Sequence, residues 1–173
     1  MTRTTSLCPR PLSLLLCLGL LLCAVVAAAP ATARAESIRS GGMFGIGLGG
    51  GTSTTGVSMK YWMSNSQALQ GVIGIWGLGR DHGTVVALSG DYLFELPSLT
   101  RNSVIDLGWN IGVGPFLGIG DATWLGASGV LGLEFNFVAV PIDITIEYRP
   151  GLLIIPAVDA DLIAFTGHIR YFF

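Results

Sequence analysis

Ile142-Asp143-Ile144-Thr145-Ile146-Glu147-Tyr148-Arg149 sets an aliphatic or aromatic side chain at each even position and a polar or charged one at each odd position. Successive side chains of an extended chain point to opposite faces. The stretch therefore reads as a strand with one apolar face and one ionic face. Asp143, Glu147 and Arg149 together are hard to bury in the core of a soluble protein. They suit a closed barrel whose outside is apolar and whose inside is polar.

The last nine residues repeat the pattern. Phe165, Gly167, Ile169, Tyr171 and Phe173 share one face, and Thr166, His168, Arg170 and Phe172 share the other. Working back toward the start, the alternation predicts eight strands at 42–50, 55–63, 67–78, 84–95, 104–116, 125–137, 140–150 and 161–173. Most approach the roughly 9–11 residues of a tilted membrane strand. The third is the least regular, because Val72-Ile73-Gly74-Ile75-Trp76 does not alternate cleanly. Turn-forming residues separate the strands, as at Ser64-Asn65-Ser66, Arg80-Asp81-His82-Gly83 and Gly120-Asp121-Ala122.

The beginning of the chain has a different character. Arg3 and Arg10 precede an apolar run from Leu12 to Ala29, and small residues lead to Ala33-Arg34-Ala35. A basic start, a hydrophobic middle and an A-x-A site form the layout of a secretory signal cleaved after Ala35. The expected organisation is a signal peptide at 1–35, a short lead at 36–41 and a barrel at 42–173. An uncleaved membrane helix is the alternative for the apolar run. A lipid-modified Cys23 fits less well, since three leucines precede it instead of a small residue.

Cys8, Cys17 and Cys23 all lie in the expected leader, so the remaining chain has no thiol for a disulfide, a metal or catalysis. After residue 35 there are six basic and eleven acidic side chains, a balance that argues against nucleic acid as a partner. Hydrophobic residues make up 51% of the sequence, yet no apolar run after the leader reaches the length of a spanning helix. Only helices and closed barrels satisfy every backbone polar group in lipid. Composition and alternation thus converge on an all-β, eight-stranded, antiparallel up-and-down transmembrane barrel.

Four even-numbered strands finish on aromatics, and Tyr61, Tyr92, Phe94, Phe135 and Phe137 are expected to form a girdle at one rim. Trp76, Phe116 and Trp124 sit near the opposite ends and are expected to form the outer girdle. The closing residues Phe165, Ile169, Tyr171 and Phe173 resemble the C-terminal signal read by the outer-membrane barrel assembly machinery. With eight short strands, the chain resembles the small barrels of the OmpA-transmembrane and OmpX type. Thr55 to Ser64, followed by Gly90-Asp91-Tyr92-Leu93, is similar to a family of short outer-membrane barrels whose activity is uncharacterised. The resemblance implies residence in a bacterial outer membrane, with lipid and the assembly machinery as partners. It implies no cofactor and identifies no small-molecule substrate.

Eight strands leave an interior just wide enough to be filled by side chains. The expected interior ion network is Lys60, Asp91, Asp106, Glu134, Asp143, Glu147, Arg149, His168 and Arg170, with Glu95 near a rim. Charges persist there only if they are paired, so a structural plug is the simplest reading and a narrow ion or proton path its functional counterpart. His168 as a catalytic base would need a nucleophile within reach, and His82 sits in a turn with no evident partner. Gly45-Ile46-Gly47-Leu48-Gly49-Gly50 matches G-x-G-x-x-G in form, but another strand follows it, so close strand packing explains the glycines better. Asp159 and Asp161 alone make a poor calcium site, and no metal is expected. Outer loops at 50–54, 79–83, 117–124 and 151–160 are too short for a dedicated receptor or adhesin.

The expected function is therefore a non-enzymatic structural protein of the envelope. The rivals are a lipid-modifying barrel enzyme, a small pore, and a soluble lipocalin-like barrel. The last requires inverted faces, with Ile142, Ile144 and Ile146 around a cavity and Asp143, Glu147 and Arg149 in water.

Overall fold

A computed structural model describes residues 38–39, 42–52, 54–76, 85–120 and 123–173. The expected leader at 1–35, the turn at 80–83, and Asp121 and Ala122 lie outside the described residues. So do positions 77, 78 and 84, the ends assigned from sequence to the third and fourth strands.

All regular structure among the described residues is β. The segments are β1 (Phe44–Gly51), β2 (Thr55–Ser64), β3 (Gln67–Trp76), β4 (Val85–Arg101) and β5 (Ile105–Ile119). They continue with β6 (Thr123–Phe137), β7 (Ile142–Tyr148), β8 (Gly151–Ile155), β9 (Asp159–Asp161) and β10 (Phe165–Phe172). Each sequential neighbour from β1 to β7 pairs antiparallel, β7 pairs with β10, and β10 returns to β1. The ring is closed by seven register pairs, from Gly45 opposite Phe172 to Gly51 opposite Thr166. Closure removes the free sheet edges that would otherwise invite pairing with another chain.

Ten segments make eight staves. β8 continues β7 along the same edge of β6, with Tyr148 opposite Leu131 and Gly151 opposite Ser128. The break falls at Arg149-Pro150, where proline supplies no ladder N–H. β9 likewise precedes β10 on the last stave, pairing Asp161 with Gly151. The seventh stave thus runs on to Ile155, and most of the span expected as a loop at 151–160 is a hairpin.

Two further boundaries differ from the sequence reading. The fourth strand was expected to stop at 95 but extends to Arg101, through an irregularity between Leu96 and Thr100. Pro97 sits in that irregularity, a position where a strand tolerates a missing donor. β5 and β6 extend to Ile119 and from Thr123, leaving a connection shorter than the expected 117–124 loop.

Tight curvature demands glycine on the inner face of β1. A Cβ on Gly47 would collide with the carbonyl oxygen of Ile169 on the neighbouring strand. One on Gly74 would strike the carbonyl of Thr55 in the same way. The glycine run that matches a nucleotide-loop pattern in form is therefore a wall-bending device.

The faces divide as the alternation requires. Ile144 and Ile146 are exposed while Asp143, Thr145 and Glu147 are buried. The third strand, irregular in sequence, obeys the same rule: Ala68, Gln70 and Val72 point in, and Leu69 and Ile73 point out.

Candidate functional site

The chemistry-bearing side chains collect in the lumen. Both chain ends of the barrel, Phe44 and Phe172, lie at what we call the near end; the hairpin tip between β8 and β9 marks the far end. All nine residues singled out for the interior are buried, the most exposed being Arg149 at 5%.

They form two clusters and one outlier. Toward the near end, the Lys60 ammonium donates to Glu134 and lies 2.6 Å from Glu95 Oε1. Asn110 Nδ2 donates to the same Glu134 oxygen at 2.7 Å. Glu95, assigned to a rim from sequence, is thus an inner member at 5% exposure. Trp62 completes this layer, with the Lys60 ammonium 4.4 Å from its ring centre. The indole face attracts a desolvated cation there.

Deeper in, Arg170 grips its register partner Asp143 through Nε at 3.0 Å and Nη2 at 2.7 Å. It also donates to Thr145 Oγ1 at 2.8 Å and to Gln70. Gln70 passes the connection on, donating from Nε2 to Glu147 Oε1 at 2.8 Å. Glu147 then accepts from Arg149 at 2.8 Å and meets His168 Nε2 at 3.2 Å. Arg149 ends the chain with a two-pronged contact to Asp91, at 2.9 and 2.7 Å, and a bond to Ser128 at 3.2 Å.

Asp106 stands apart. It pairs at 2.8 Å with Arg101, whose side chain is 58% exposed at the near rim. This acid belongs to the mouth and not to the central network.

Side-chain chemistry here favours rigidity. Buried charges are tolerated because each has an opposite partner, and Arg149, Arg170, Glu134 and Glu147 gain neutral hydrogen bonds as well. Gln70 is the connector that sequence reading passed over. A neutral amide on an irregular strand carries no signal by itself, although both ends of the amide are used. Arg39 was missed too, since it precedes the first strand; it donates to Glu95 from within the near mouth. His168 has Glu147 on one ring nitrogen, and its Nδ1 has no hydrogen-bond partner among the described residues. Among the described residues no group of three or more acidic, histidine or cysteine side chains is arranged to hold a metal.

Aromatic residues form two sets. Tyr61, Tyr92, Phe94, Phe135 and Phe137 all lie on the outer face toward the near end. Tyr92 and Phe94 meet edge-to-face with centroids 5.0 Å apart. Phe165 and Ile169 are each 50% exposed, Phe173 is 70% exposed, and Tyr171 packs against Phe173 at 4.9 Å.

The far-end set departs from expectation. Trp76 and Trp124 share the inward parity of Val72 and Ser128, and their rings meet edge-to-face at 5.2 Å. They sit on β3 and β6, which are not neighbours in the sheet. The contact therefore spans the mouth instead of lying along an outer girdle. Phe116 also points inward, filling the space that a Cβ on Gly126 would need.

Comparison with known protein families, with characterised proteins and with solved structures finds no match to this chain. What can be said about function therefore rests on the barrel and its lumen.

Proposed function

We propose that the chain is an integral outer-membrane barrel with a side-chain-filled lumen and a structural role in the cell envelope, without catalysis. One observation carries this reading: the distribution of polarity is reversed relative to a soluble protein. Lys60, Glu134, Asp143, Glu147 and Arg170 are at most 1% exposed, while Leu48, Ile73, Leu88, Leu131, Ile146 and Ile169 are 47–54% exposed on the outer face. An aliphatic exterior of this extent on a closed barrel is stable in hydrocarbon and a liability in water. The outer aromatics near one end suit headgroup depth. The final strand has the form that resembles the assembly signal of small outer-membrane barrels.

The soluble lipocalin-like alternative needs the opposite arrangement. Ile144 and Ile146 face outward and Asp143 and Glu147 inward, so the ionic groups occupy the space a ligand would need.

The envelope role is tested by deleting the gene in its host. Loss of the protein is expected to raise sensitivity to detergents and bulky antibiotics while leaving lipid acyl composition unchanged. A changed acyl pattern, reproduced by a folded His168→Ala protein, would support the lipid-modifying enzyme instead.

A further inference from the structure

The near mouth contains acceptors for both terminal nitrogens of a guanidinium group, and the chain fills them with its own Arg39, whose Nε has no hydrogen-bond partner among the described residues. The Arg39 side chain is 8% exposed, although it belongs to no strand. One terminal nitrogen donates to Ser98 Oγ at 3.0 Å; the other donates to Glu95 Oε2 at 3.2 Å and to the Leu96 carbonyl at 2.8 Å. The guanidinium carbon lies 5.4 Å from the Trp62 ring centre. Across from it the wall carries Gly108, where a Cβ would come within 2.9 Å of the same carbon.

Each component suits a flat, forked cation better than a compact one. Carboxylate and carbonyl acceptors at Glu95 and Leu96 share one terminal nitrogen and the Ser98 hydroxyl takes the other, which suits the forked donors of arginine. Leu96, opposite Trp109, is the last ladder residue before the irregularity, and Ser98 lies within it. Gly108 leaves room for a planar group, and Trp62 offers a π face. Lys60 already occupies the other contact of Trp62 and the other oxygen of Glu95, so the acceptors left over define a second cation position. Ile38 accompanies Arg39 into the mouth at 5% exposure and packs in one cluster with Trp62, Ala68, Leu93 and Phe172.

We infer that the mouth is a guanidinium-binding site, occupied in cis by the Ile38-Arg39 lead, which acts as a tethered stopper on the near end of the barrel. The inference depends on the lumen geometry alone and not on where the barrel resides. An isolated guanidinium compound should therefore enter the site once Arg39 is shortened.

The test uses the chain from residue 36 onward, folded in detergent micelles, with a single thiol introduced by Ala68→Cys. Ala68 is fully buried beside Ile38, and the chain after residue 35 has no cysteine of its own. Reaction of the introduced thiol with a bulky charged maleimide reports whether the mouth is covered. Adding Arg39→Ala should raise the labelling rate about tenfold, the factor associated with loss of a charge-assisted hydrogen bond. Ethylguanidinium should restore protection in a saturable way, and ethylammonium at equal concentration should not. If Arg39→Ala prevents folding, Arg39→Ser, which is equally short, takes its place, with the same selective rescue expected. Unchanged labelling in a folded Arg39 variant would overturn the inference. So would equal rescue by both cations, or rescue by neither.

Discussion

Arg170 and Asp143 are direct register partners across the β7–β10 ladder, and the arginine closes on the carboxylate with two nitrogens, at 3.0 and 2.7 Å. Both side chains are essentially inaccessible. The pair ties the last strand to its neighbour from inside, next to the seam where β10 also meets β1. Arg170→Ala should therefore destabilise the barrel by about 3–5 kcal/mol, because it leaves Asp143 buried without its cation. Urea titration of the folded protein measures this. A midpoint equal to that of the parent would show that the network does not contribute to stability.

Wall curvature makes a second prediction. Gly47→Ala should block closure between β1 and β10, since the added methyl meets the Ile169 carbonyl. Gly90→Ala is the matched control, with nothing within 4 Å of the new atom. Refolding yield in detergent should collapse for the first and stay near the parent for the second. Equal yields would mean that the inner glycines are dispensable.

The far mouth allows a coupling measurement. Trp76 and Trp124 meet edge-to-face at 5.2 Å from strands that are not adjacent. A double-mutant cycle to alanine should show a favourable interaction of about 0.5–1.5 kcal/mol. Additive effects would place the two rings apart in solution.

Legibility from sequence followed how many independent constraints each residue carried. β7 and β10 were readable because three or four alternating pairs agree on the same faces, and reversing either would bury aliphatics and expose an ion cluster together. Trp76, Phe116 and Trp124 carried no such agreement. A large aromatic at a strand end is equally suited to a rim or a mouth, and only the parity from Val72 or Ser128 separates the two. The extent of the seventh stave was hidden by Pro150, which ends a strand in most settings. Here β6 supplies an edge on which the chain resumes pairing at Gly151. The near mouth was legible only in part: Lys60 and Glu95 show as strand-borne charges, but Arg39 comes from a segment whose local sequence has no periodicity to place it.

The outward face supplies the remaining prediction. Ile144 is 38% exposed between buried Asp143 and Thr145. Ile144→Arg should cost about 2–4 kcal/mol in a lipid bilayer if the residue lies near its midplane. In water-exposed surroundings the same change should be nearly neutral. Comparing unfolding free energies in vesicles therefore reads the surroundings of this residue directly.

The most direct test of the central claim combines membrane fractionation with electrophoresis of boiled and unboiled samples. A lipid-embedded barrel of this kind should sediment with the outer membrane and migrate differently before and after boiling. Recovery of the folded chain in the soluble periplasmic or extracellular fraction would contradict the account, because the exposed aliphatic face would then have to be covered by something other than lipid.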